Sequence, residues 1–439
     1  MQNILNTFFA LLVRLLYLLA CLVCLHLARG EDYLVPGDVV LRSDKAAQET
    51  LEQSTGAATL RFLGLDIFPR AAVTAMYDDN LLIAHSNQLR DVEWTISPGV
   101  TVAAGDVSLY QPGSVTLGQI RNLLNQSLLD DSPKPERYLG VDYAPAVNRF
   151  TDHSQYDNVD QTAGLSAGYD FARVAIGADL DFSRLEVKDN DIGSLVTREQ
   201  IDTKLRSRYE VTDRSAFEIN ALYRQLTYAN NIFQGYEEFR NEDWFDRKVG
   251  ARLEIDSGIA LGFVHPQLSP DQTYQQALLR ASYLLTGKLD VRARAGVEWR
   301  HYGARQSDTL DPVFSLEAVY QPRLSTTFSL EGHQRSEPSF GADYNYEIVG
   351  FSAGVQQQVG GQIYMELSGN YEHVDYVRLN SGPSNNRADG YFAVRANLGY
   401  EFNRHLKGTL FYDRRQDDSN IPQFTYANNM AGVRVAWRY

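Results

Sequence analysis

At 439 residues with 22% charged side chains, the chain is long enough for a large domain. It is too polar for a bundle of lipid-crossing helices, each of which needs about 20 mostly apolar residues. The formal net charge of −14 has the wrong sign for binding duplex nucleic acid. Both cysteines, Cys21 and Cys24, lie near the N-terminus, which excludes a disulfide scaffold or a thiolate zinc site from everything downstream.

Only one stretch, Ile4 to Leu27, is apolar and long enough to span a membrane as a helix. It closes on small residues, with Ala28 and Gly30 at −3 and −1 of a cut before Glu31, and residues 1–30 read as a secretory signal peptide. The absence of Lys or Arg before Arg14 keeps a membrane anchor as the alternative. Lipoprotein processing at Cys21 fits less well, because Leu19 is a poor match and the apolar run continues past the cysteine. Cleavage would remove Arg14 and Arg29 and no acid, moving the net charge to −16. Residues 31–66 then form a mixed, acidic leader, periplasmic or else tucked into the lumen.

From residue 67 to the end, apolar and polar residues alternate segment after segment, which is the period of strands with two different faces. In 288–300, Leu289, Val291, Ala293, Ala295, Val297 and Trp299 share one face, while Asp290, Arg292, Arg294, Glu298 and Arg300 take the other. In 174–183 the apolar face is Val174, Ile176, Ala178, Leu180 and Phe182. Alternation alone also fits a soluble sandwich. Three further features favour a barrel in lipid. The segments are often ten residues or more, as a tilted membrane strand requires. Very short turns, such as Ala172–Arg173, Asp256–Gly258, Thr286–Lys288 and Asn403–Arg404, alternate with polar connections such as 226–243 and 373–389. The chain closes on Ala431, Val433, Val435, Trp437 and Tyr439, an outward alternation ending in an aromatic residue.

The segments number eighteen with a counting error of two, so sixteen stays open, and they predict an all-β, antiparallel up-and-down transmembrane barrel over 67–439. Closure is required because an open sheet edge in lipid leaves backbone groups without partners. One insert, 104–136, replaces an expected short turn. Within it Leu117, Ile120, Leu123, Leu124, Leu128 and Leu129 suggest a short amphipathic helix, either a plug or docking element or simply a helix under the rim.

Two hairpins carry a family resemblance. IFPRAAVTAMYDDNLLIA (67–84) followed by DVEWTISPGVTV (91–102), with LGVDYAPAVNRF (139–150) and NVDQTAGLSAGYDF (158–171), resembles the beta-barrel porin 2 family. That resemblance implies a bacterial outer-membrane barrel, a role in carrying an extracellular polysaccharide, and a periplasmic polysaccharide-export protein as a partner. The resemblance to outer-membrane proteins also implies that Trp437 and Tyr439 form part of the signal read by the barrel assembly machinery.

With apolar residues outward, the inward faces are strongly charged. Asp202, Lys204, Arg206, Arg208 and Glu210 share one strand; Lys248, Arg252 and Glu254 follow, then Arg292, Arg294, Glu298 and Arg300. Asp179, Asp181, Glu317, Glu331 and Glu366 add acid, and Arg395, Arg434 and Arg438 return positive charge. Ladders of opposite sign on different arcs would set a transverse field across a wet pore; interlocked ion pairs that merely hold the wall are the alternative. Tyr364 and Tyr391 also point inward and could stack on sugar rings. The Asp and Asn clusters at Asp78, Asp79 and Asn80, at Asp189, Asn190 and Asp191, and at Asp417, Asp418 and Asn420 read as solvated external turns rather than calcium loops, because the calcium-loop spacing is incomplete. Trp94, Tyr169, Trp299, Tyr320, Trp437 and Tyr439 are expected at the two interfaces. His153, His265, His301, His333 and His405 are scattered without the spacing of a metal site or triad, so no enzyme activity, metal or cofactor is expected. The readings compatible with this wall are a polysaccharide passage, a general or solute-specific diffusion porin, and an anchor for adhesive loops.

Overall fold

A computed structural model describes residues 60–439 apart from 63, 106–136, 191, 231–232, 304–307, 342–343 and 380–386. Among these residues the long elements are all strands. A short β1 (Leu60–Phe62) is followed by β2 (Leu65–Asp78), β3 (Asp91–Gly105), β4 (Arg137–Phe150), β5 (Asn158–Asp170), β6 (Val174–Asp189) and β7 (Ser194–Thr212). Next come β8 (Ser215–Tyr228), β9 (Tyr236–Lys248), β10 (Leu253–Pro266), β11 (Gln272–Thr286), β12 (Leu289–His301) and β13 (Thr309–Arg323). The set ends with β14 (Thr326–Pro338), β15 (Tyr344–Val359), β16 (Ile363–Arg378), β17 (Ala388–Asn403), β18 (Leu406–Ser419) and β19 (Tyr426–Arg438).

From β2 onward each strand pairs antiparallel with the next, and β19 pairs with β2 from Met430↔Asp78 to Arg438↔Arg70. The sheet is thereby a closed barrel of eighteen strands, as the alternation predicts. β1 folds back on the start of β2 through Gly64, whose φ of 82° suits a residue without a side chain. The helical reading of the 104–136 insert, like the signal segment and most of the leader, lies outside the described residues.

Register fixes which residues share a face. Ser166, Asp179 and Lys204 stand side by side on β5, β6 and β7 facing inward, whereas Leu165, Leu180 and Thr203 face outward. The outward face is apolar, with Ile176, Ile219, Leu261, Val297, Leu398 and Val433 all exposed. At the short-turn end rings pair around the rim: Tyr169 with Phe171 at 4.2 Å, Phe217 with Phe245 at 5.0 Å, and Tyr400 with Phe402 at 5.1 Å between centroids. Trp437 and Tyr439 join them, while Trp94 and Trp299 stand near the opposite rim, and all four are exposed. No helix among the described residues is long and apolar enough to cross a membrane; the strands do so. A closed barrel with an apolar outer belt, a ring girdle and a polar interior is an outer-membrane β-barrel. Its short turns and C-terminus mark the periplasmic end.

Two sequence expectations need correction. Asp256–Gly258 is not a turn but lies within β10; the chain reverses over 249–252, where the amides of Val249 and Gly250 both donate to the carbonyl of Leu253. The connections are also shorter than expected. Residues 226–228 and 236–243 of the first lie in β8 and β9, and 373–378 and 388–389 of the second in β16 and β17. Both errors share a cause. Near the external rim the inward residues are as polar as a loop, and on β9 the outward positions Glu237, Asn241 and Asp243 are polar too, so strand looks like loop.

Candidate functional site in the barrel lumen

The lumen is built by every second residue of each strand, and on the β7–β12 arc these residues lock together. Arg280 donates to Asp256 at 2.7 Å, Asp246 at 3.1 Å and Glu218 at 3.3 Å. Arg208 reaches the same Glu218 at 2.7 Å. Asp246, Glu254 and Asp256 bring their carboxylates within 4.8 Å of one another, a grouping that could suit a metal ion, but the Arg280 guanidinium already supplies the cation to two of them. One layer outward, Arg294 donates to Glu242 at 3.0 Å, Trp244 Nε1 donates to Glu242 at 2.6 Å, and Arg280 lies 4.5 Å from the centroid of the Trp244 ring. Nearer the external rim Arg300 donates to Glu298 at 2.7 Å, to Gln272 at 3.0 Å and to the Ser336 carbonyl at 3.1 Å. Acids and bases interleave on this one arc, so the expected separation of ladders onto different arcs is not found here.

Glycines set where the inward rings lie. Tyr274 lies flat over Gly262 on the neighbouring strand, where an added Cβ would sit 2.0 Å from the ring. Tyr364 lies over Gly399 in the same way. The missing side chain gives each ring a seat against backbone.

Of the sequence-predicted lumen residues, Asp179, Asp181, Lys204, Arg206, Arg208, Arg292, Arg294 and Arg300 all face inward. Most are engaged in the wall: Arg206 pairs with Asp179 at 2.5 Å, and Arg300 is 2% exposed. Arg292 is the accessible one, its side chain 54% exposed beside Asp290 at 3.0 Å. Lys248 stands at the periplasmic end opposite Glu254. Arg252 is not on the wall, because it belongs to the 249–252 turn and points to solvent. Tyr364 and Tyr391 face inward but offer no open ring face for a sugar. Tyr364 bonds Thr409 at 3.0 Å and carries the Lys407 ammonium 3.5 Å from its centroid. Tyr391 is packed with Ile83 and Tyr426. Sequence reasoning missed Glu238, Arg240 and Glu242, taken as part of a connection, and Trp244 just beyond it; outward Phe239 and Phe245 are the partial signal that places them on a strand.

The external mouth is covered. Pairing of β5 with β6 stops at Gln161↔Arg184, and pairing of β7 with β8 stops at Arg198↔Tyr228, but β6 and β7 continue together to Asp189↔Ser194. The tip of this ribbon reaches across the mouth to β2, β19 and the residue before β17. Lys188 forms an ion pair with Asp78, the Asn190 carbonyl accepts from Arg387 at 3.2 Å, and the Asn190 side chain accepts from the Tyr426 hydroxyl. Arg387 stacks 3.5 Å from the Phe424 centroid and 4.3 Å from that of Tyr376. Ile192 and Val196 pack with Phe233 and Phe340 on a buried cluster of Leu226, Tyr228, Tyr236, Val264 and Tyr274. Gln234 ties the β8–β9 loop to the residues after β14 by donating to the carbonyls of Phe340 at 2.7 Å and Ser339 at 2.9 Å. The expectation of solvated acidic turns is corrected for the first two clusters, where Asp78, Asn80, Asp189 and Asn190 are buried because they bond the inward-folded ribbon and the wall together; in the third, Asp417 is buried on β18 while Asp418 and Asn420 are exposed. At the periplasmic end the inward side chains of Asp290 and Arg292 are open, at 31% and 54%.

No family model matches the chain, and no curated protein matches it. Among solved structures, OccAB4 from Acinetobacter baumannii shares 11% identity, with 85% of this chain and 98% of that one covered and a TM-score of 0.43. OccK2 (OpdF) from Pseudomonas aeruginosa, solved in complex with glucuronate, shares 12% identity over 85% and 97%, with a TM-score of 0.44. The FrpB iron transporter from Neisseria meningitidis shares 10% identity, and this chain, covered over 80%, spans 62% of its length at a TM-score of 0.43. At such identities and scores the likeness assigns this chain no substrate and no partner.

Proposed function

We propose that this barrel is a channel that passes an extracellular polysaccharide outward across the outer membrane. The observation that carries the reading is the asymmetry of the lumen. Its periplasmic half presents open, charged side chains such as Asp290 and Arg292, while the external half is filled by Tyr274, Arg300, Tyr346 and the inward-folded loops. Such a vestibule is loaded from the periplasm, the direction in which an exported polymer travels. Fixed charges of both signs along a wet wall orient a hydrated chain without holding it tightly. The resemblance of the first hairpins to the beta-barrel porin 2 family supports the same reading, with a periplasmic export protein delivering the polymer and the barrel assembly machinery inserting the chain through Trp437 and Tyr439.

The test is a deletion strain. Loss of surface polymer that returns on complementation supports export. Normal polymer release, together with purified barrels that let small neutral sugars swell liposomes, would instead identify a diffusion porin.

A further inference from the structure

We propose that the distal β6–β7 ribbon, Leu185–Asn190 with Ile192–Thr197, is a lid that swings from the external mouth to open the channel. The inference requires only that the barrel be a channel, whatever it carries.

The ribbon is set apart from the wall by its hydrogen bonding. Below Arg184 and Arg198 the two strands are held in the barrel by neighbours on both sides; above those residues the ladders to β5 and β8 end, with one last backbone bond from Ala229 N to the Thr197 carbonyl at 3.0 Å marking the hinge. A two-stranded ribbon alone is marginal in water, so its position is set by what its faces and tip touch. Those contacts are of two kinds, polar at the tip and apolar beneath Ile192 and Val196. Glu186 N donates to Asp160 at 2.7 Å beside the point where the ladder ends. Lys188 pairs with Asp78, and Asn190 meets Arg387 and Tyr426. Water can replace each of these polar contacts on opening, so what opposes opening is chiefly the withdrawal of Ile192 and Val196 from their apolar seat.

The far side is equipped as a catch rather than as more wall. Arg387 lies between the rings of Phe424 and Tyr376, pairs with Asp389, and still points a donor at the Asn190 carbonyl. Gly193, at φ 67°, lets the ribbon lie against the Phe424 ring, where even a Cβ would come within 3.3 Å of it. The apolar Ile192 and Val196 close the remaining gap against Phe233 and Phe340. A lid needs a stable hinge, weak lateral support and a specific resting contact, and the ribbon has all three.

The experiment uses planar bilayers and two kinds of variant. Lys188→Met combined with Arg387→Met and Tyr426→Phe removes the three polar catches at the tip, and single-channel conductance is expected to rise about twofold or more over the parent. Conductance equal to the parent, in protein that retains the electrophoretic mobility of a folded barrel, overturns the proposal. Asn190→Cys with Phe424→Cys, made with Cys21 and Cys24 replaced by alanine, is bridged by a short reducible bis-thiol reagent. The bridged barrel is expected to hold its lowest conductance until reductant releases it. A bridged barrel that conducts like the unbridged one also overturns the proposal, and this arm decides if the first variant fails to fold.

Discussion

Arg280 and Arg292 show how much the setting of one guanidinium matters. Arg280 is shared by Asp246, Asp256 and Glu218 in the wall. Its replacement by Met leaves three carboxylates without their main counter-charge, so Arg280→Met is expected to destabilise the barrel by about 3–5 kcal/mol in urea or heat unfolding. Arg292 sits in water beside Asp290, and Arg292→Met is expected to cost roughly 0–1 kcal/mol. The functional ranking is the reverse. Removing the open positive charge of Arg292 shifts ion selectivity towards cations, measured as reversal potential across a salt gradient, whereas a wall arginine such as Arg294, tied to Glu242, changes it little. Glycine seats predict a separate effect. Gly262→Ala pushes Tyr274 from its place and is expected to cost about 1–3 kcal/mol by overpacking, read in the same unfolding assay.

Strands were legible to different degrees for a physical reason. β12 declares itself because Leu289, Val291, Ala293, Ala295, Val297 and Trp299 share the lipid face while Asp290, Arg292, Arg294, Glu298 and Arg300 share the other. β9 does not, because its lumen face is charged and its outer face holds Asn241 and Asp243, which bond each other at 2.8 Å. The inward direction of Asp179, Arg206 and Arg300 could be read from alternation, but their partners could not. An ion pair such as Lys188 with Asp78 joins β6 to β2, and no local pattern encodes it. Arg252 was misplaced for the same reason as its turn, since Lys248, Arg252 and Glu254 keep the spacing of a strand face straight through the reversal. The last strand makes its own prediction. Tyr439 N donates to Pro69 O at 3.2 Å, and Trp437 pairs with Ala71. Truncation before Trp437 removes the end of the closing seam, and the fraction of chain reaching the folded, heat-modifiable form is expected to fall sharply on unheated gels.

For the molecule as a whole, the decisive division is between a surface that meets acyl chains and one that meets water. The four tryptophans test it directly. Trp94, Trp299 and Trp437 are exposed on the outer face, while Trp244 is 2% exposed and points inward among Arg280, Arg294 and Glu242. Brominated lipids are expected to quench the emission of single-tryptophan barrels carrying any of the first three and to spare the one carrying Trp244. Strong quenching of Trp244 would mean that the wall is turned inside out.

The seam between β2 and β19 also governs how the molecule can be made. Asn428 donates to Asp78 across a sequence separation of 350 residues, so β2 has no second neighbour over Arg70–Asp78 until β19 has been synthesised. Contacts of such span are slow to form, and an unfinished wall cannot rest in hydrocarbon. The nascent chain must therefore be kept unfolded in transit and close its cylinder only when its final residues arrive.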